Sequence, residues 1–199
     1  QNAAVNVVLD PGALILNLSN REFVSSWLSV RPDKDAGVYF EGDTVMITTR
    51  VGARAVPLDA SPHCDNLSKC LVYLDDVHTR GSDFRLPPDS RAAVTLGKGM
   101  PKDKLLQAVY RLRMLGHGQS VCWVASQEVH LVLGSLFFDT HTRNNDTADG
   151  LGYVTGVLNW CLSNSALQIC DLMPYSTSQA KAYLEKAYAY KGWYENDGR

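Results

Sequence analysis

The sequence predicts an α/β fold: a mostly parallel sheet over about residues 1–125, followed by an α-helical C-terminal segment. Three observations carry this. Cys70-Leu-Val-Tyr-Leu-Asp75 is a near-continuous apolar run, which suits a strand buried on both faces of a parallel sheet. From there the pattern runs strand, polar loop, strand at 91–96, helix, strand at 120–125, the alternation of an α/β layer. From Ser126 onward the apolar period becomes helical.

Taken in order, residues 4–9 form a short β-branched run that Asp10-Pro11-Gly12 ends as a turn. Ser19 and Glu22 have capping-box spacing. Phe23, Val24, Trp27 and Leu28 then share one helical face, and Pro32 bounds that helix. The runs 37–41 and 44–50 flank Gly42-Asp43, a hairpin signal. Residues 51–69 lack periodicity and read as a connection. After the strand at 70–75 comes a polar loop to Pro87. Pro101 opens a helix whose Leu105, Leu106, Val109, Leu112 and Leu115 repeat at helical spacing until Gly116. A moderate helix is expected over 127–136, and a polar loop over 139–150. Val154, Val157, Leu158, Cys161 and Leu162 form a helical stripe. Pro174 is expected to break that run, and 176–190 to supply a last helix with Ala180, Leu184, Ala187 and Tyr188 inward.

The domains expected are therefore an α/β unit over 1–136, with a β-hairpin inserted near 37–57, and a helical extension over 150–199. The first residue is Gln1, and the last six follow directly on an aromatic-rich helical pattern. Both ends read as cut, so the chain is expected to be a fragment of a larger protein.

Composition removes several function classes. With 45% hydrophobic and 20% charged residues and a mean hydropathy of −0.15, the chain is neither a disordered tail nor a membrane bundle. Its apolar runs span about 5 residues, against the roughly 20 of a membrane helix. Nineteen basic against 21 acidic residues give a formal charge of −2, so no strong electrostatic signal for nucleic acid exists. The five cysteines, an odd number without a C-x-x-C pair, argue against a disulfide framework or a zinc site. A reducing, intracellular and cytoplasmic setting is expected. Asn-x-Ser/Thr matches at Asn17, Asn66 and Asn145 point the other way, but so short a pattern arises by chance.

Chemistry concentrates after the strand at 70–75, where Asp75, Asp76, His78, Arg80 and Asp83 fall within nine residues. In open α/β sheets, ligands sit outside the carboxyl ends of the strands. Gly81 lets the backbone turn or approach a ligand, and Arg80 with Asp83 can handle a phosphate. The alternative is a loop whose carboxylates cap its own amides. Cys70, His78 and Asp76 are the residue types of a cysteine-protease trio. A strand rises about 3.3 Å per residue, however, so five steps set the two ends of 70–75 about 17 Å apart. No histidine has metal-site spacing with a second ligand, so no metal is expected.

Thr79-Arg-Gly-Ser-Asp83 together with Gln107 and Arg111 resembles the paired motifs of the second RecA-like lobe of superfamily 2 helicases, and of the bacterial preprotein translocase motor. The resemblance implies a RecA-like sheet in which Arg80, Gly81, Asp83, Gln107 and Arg111 face ATP and Mg²⁺. The chain departs from the pattern at Tyr110 and Arg113, which replace glycines, and at Met114, which replaces the second arginine. It also has no G-x-x-x-x-G-K-[ST] loop.

A second resemblance spans more of the chain. Asp10-Pro-Gly-Ala-Leu-Ile15, the whole block 70–87, Arg91-Ala-Ala-Val-Thr-Leu-Gly97, 102–107 and 111–121 are similar to a conserved region of very large, mostly fungal proteins catalogued as ubiquitinyl hydrolases. What this implies is a thiol-dependent deubiquitinase with Cys70, His78 and Asp76 as its candidates, no cofactor, and ubiquitin or a ubiquitinated protein as partner beside the remainder of the parent chain. A scaffold domain that binds a partner is the third reading.

Overall fold

The computed structural model describes residues 4–50, 54–81, 84–141 and 150–196, the side chains of 137–141, 150–151 and 192–196 excepted. Among the described residues seven strands form one sheet, in the order β4-β3-β2-β5-β1-β6-β7. β1 (Val7–Leu9), β2 (Ala36–Glu41), β5 (Cys70–Leu74), β6 (Arg91–Leu96) and β7 (Ser120–Ala125) are mutually parallel. β3 (Thr44–Thr49) and β4 (Val56–Pro57) extend one edge antiparallel. The fold is thus α/β with a mostly parallel sheet and a C-terminal helix.

The hairpin around Gly42 continues the main sheet, because β2 pairs in parallel with β5 through Ala36, Gly37 and Val38. Within the stretch expected as a bare connection, β4 and a single 3-10 turn at Leu58–Ala60 form. Val56 and Pro57 are held there by pairing with β3, which no local periodicity encodes.

Strand residues alternate between two apolar faces, as a parallel sheet covered on both sides requires. One face carries Val8, Tyr39, Tyr73 and Ala93 under α1 (Asn20–Ser29). The other carries Val7, Leu9, Val72 and Leu74 under α2 (Lys102–Val109), α3 (Gln127–His141) and the first turns of α4 (Gly150–Asn196). The capping box is formed: the Ser19 hydroxyl accepts from the Glu22 N–H and the Glu22 carboxylate accepts from the Ser19 N–H at 2.8 Å. α1 buries Val24 and Leu28.

Two expectations for the helices are corrected. α2 ends at Val109 rather than reaching Leu115; Leu112 is buried from the turn that follows. Pro174 lies inside α4, which is one helix of 47 residues. Leu184 and Tyr188 on it are 54% and 72% exposed rather than inward. A proline removes one helical hydrogen bond and crowds the preceding turn, yet α4 continues through it to Asn196. Of the expected polar loop at 139–150, residues 142–149 lie outside the described residues. Among the described residues no helix is long and apolar enough to cross a membrane.

Candidate functional site

The carboxyl edge of the parallel strands gathers the polar side chains. β1 feeds α1 and β2 on one side, whereas β6 feeds α2 and β7 on the other, so the two adjacent strands diverge as at a topological switch point. There the loops after β1 and β6 touch. A Cβ on Gly12 would lie 2.6 Å from the Gly97 nitrogen, so both positions need glycine.

Asp10, 1% exposed, ties this edge together. Its Oδ1 accepts from the Leu14 N–H (2.9 Å) and the Thr95 hydroxyl (2.6 Å), and its Oδ2 from the Ile15 N–H (3.2 Å) and, at 3.4 Å, the Tyr73 hydroxyl. Burial and the nearby carboxylates push the Tyr73 phenol above its ordinary value. Asp10 is therefore consumed by the fold. The sequence signal was an acid directly after a buried strand and before Pro-Gly.

Beside it, Asp75 organises the loop after β5. Its Oδ1 accepts from the His78 backbone N–H at 2.9 Å and lies 2.6 Å from His78 Nδ1. Its Oδ2 accepts from Asn20 Nδ2 at 2.6 Å, and the same amide group donates to the Phe40 carbonyl. Burial, the largest single influence, raises the Asp75 carboxyl, but the Asn20 and His78 hydrogen bonds together outweigh it and hold the group below its ordinary value. The ionised carboxylate accepts, so the proton of this hydrogen bond sits on Nδ1. The imidazole lies flat on Phe40, with centroids 3.8 Å apart and planes at 9°.

Asp76 turns the other way. Its Oδ2 pairs with Lys104 Nζ at 2.9 Å, joining the loop to α2, and both side chains are about three-quarters buried (30% and 26% exposed). Its Oδ1 is buried without a partner among the described residues. Thr79 closes the turn, its N–H donating to the Asp75 carbonyl and its hydroxyl to the Asp76 carbonyl.

The expected trio is not assembled. Cys70 opens β5 and His78 follows its far end; four strand steps alone separate Cys70 from Leu74 by about 13 Å. Cys70 is 2% exposed, and burial pushes its thiol up to about 11. His78 is oriented by Asp75, with Asp76 engaged elsewhere. Of the phosphate-facing set, Arg80 and Gly81 are exposed on the loop, Gly81 at φ +89°, and Asp83 lies outside the described residues. Gln107 is exposed on α2. Arg111 lies two residues past that helix and donates from Nε to the Gln107 carbonyl at 3.3 Å. The loop and α2 do meet, through Lys104, one turn before Gln107. Sequence reasoning missed Lys104, Asn20, Phe40 and Asp10 as members of this edge. Asp10 and Lys104 had local signals, the first as an acid between a buried strand and Pro-Gly, the second as a cation on the helix already singled out.

Among the described residues no group of three or more His, Cys, Asp or Glu side chains is arranged to hold a metal ion. Comparison with protein-family models, with curated proteins and with solved structures found no match in any of the three.

Proposed function

We propose that this chain acts as a nucleotide-responsive lobe of the second RecA-like kind, with the loop after β5 and the α2 region presenting Arg80, Gly81, Asp83, Gln107 and Arg111 to ATP–Mg²⁺. The observation that supports this reading is the Asp76–Lys104 ion pair, which holds that loop against α2 at the carboxyl edge of the sheet. Guanidinium groups suit phosphate because they offer paired donors and a permanent charge. The reading requires a phosphate-cradling lobe from another segment, since no such loop is among the 199 residues. Its test is ATP turnover by the protein that carries both lobes. Arg111→Ala should lower turnover at least tenfold, and turnover equal to the parent's would overturn the assignment.

One observation favours a second reading, thiol-dependent cleavage of ubiquitin from conjugates. Asp75 orients His78 through Nδ1, the arrangement of a general-base histidine. The thiol it would serve is not Cys70, which lies at the other end of β5. A ubiquitin vinyl-sulfone probe should then label a cysteine in a His78-dependent manner and leave the Cys70→Ala variant as reactive as the parent. No labelling removes this reading.

A further inference from the structure

The first part of α4 is tied to the body. The Ser165 hydroxyl accepts from the Lys102 N–H at the start of α2, and Asn164 and Gln168 donate to the Met100 and Gly99 carbonyls. Every residue from Ala166 to Lys191 is exposed. This outer part is not polar, as a solvated helix would be. Ala166, Met173, Ala180 and Ala187 recur every seven residues. Leu162, Ile169, Ser176, Tyr183 and Tyr190 form a second series of the same period, displaced by three. Alternating steps of three and four sustained over four heptads are the seam of a coiled coil. Pro174 and the charged Asp171, Lys181 and Glu185 all fall off that seam.

We propose that this stripe is a self-association surface on which a second copy of the chain docks antiparallel, about a two-fold axis near Ser178. Antiparallel pairing brings one series opposite the other. In that register Ala166 meets Tyr190 of the second copy, Ile169 meets Ala187, and Met173 meets Tyr183. Ser176 and Ala180 form a narrow centre. Two of the four layers oppose a small residue to a large one, and the small central pair allows close approach. Parallel pairing would instead set Tyr183 on Tyr183 and Ala180 on Ala180, crowding some layers and leaving voids in others.

The flanks agree. Leu184 falls beside Cys170 of the second copy and Leu172 beside the aliphatic stem of Lys186, so no like charges meet. The large apolar side chains of the stripe and its flanks are 47–73% exposed. A stable, specific interface takes about 800 Å² from each partner, and these large side chains, most of them more than half exposed, are the apolar area the stripe brings to it. A large contiguous apolar surface marks an interaction site.

Sedimentation equilibrium of the 199-residue chain tests this. A species of twice 21.9 kDa is expected. Ala180→Glu should return it to monomer with helical circular dichroism unchanged, since that side chain is exposed. The register has its own readout. With the exposed Cys64 and Cys170 replaced by serine, Thr177→Cys should cross-link to its own copy across the axis. Ala187→Cys should not, because it lies 18 residues, or about 27 Å, along the helix from its counterpart. A monomer at about 100 μM, a dimer indifferent to Ala180→Glu, or cross-linking at 187 instead of 177 would overturn the proposal.

Discussion

The two ends of β5 differ in what burial does to their side chains. At the amino end Cys70 is enclosed by apolar neighbours, and desolvation drives its thiol up to about 11, away from the reactive thiolate. At the carboxyl end Asp75 is also partly buried, yet Asn20 and His78 supply donors that hold it ionised. Burial alone inactivates a titratable group; burial with donors fixes its protonation state and its geometry. The second condition exists only where the strand's neighbours, β1 and β2, deliver loops to the same edge.

The contrast is sharpened most by removing Asp10, which anchors the carboxyl edge. Asp10→Ala leaves the Leu14 and Ile15 amides and the Thr95 hydroxyl without their acceptor. It should destabilise the chain by about 2–4 kcal/mol in urea unfolding. Cys70→Ala, at the other end, removes one buried sulfur and should cost about 1–2 kcal/mol. Equal losses at the two ends would break the distinction. The smallest effect is on pH dependence. Asp75 has a folded value below its unfolded one, so its contribution is full above the unfolded value, near pH 4, and is lost as pH falls through the folded value. Asp75→Asn should therefore flatten the acid limb of a stability–pH curve. Asp33 is held at about 2 by Arg31 but sits in solvent, so it should add little to that limb.

Much of this architecture was legible in the chain. The apolar run at 70–74, the Ser19–Glu22 box and the Gly42 turn each act through neighbours in sequence, and each formed where expected. The site was legible only as a location. Composition pointed to the loop after β5, and the motif resemblance of Gln107 and Arg111 pointed to the helix expected over 101–115, but the partners depended on contacts between distant residues. Asn20 reaches Asp75 from 55 residues away and Lys104 reaches Asp76 from 28. No periodicity specifies such pairs. The same limit explains β4, which exists by pairing with β3.

The sequence by itself determined most of the strands and helices, β4 and the passage of α4 through Pro174 excepted, because side-chain period and capping chemistry are local. Tertiary structure decided strand order, the orientation of His78 by Asp75 rather than Asp76, and the separation of Cys70 from both. Those outcomes depend on which loops a sheet brings to one edge, and the chain acquires that proximity only when it folds.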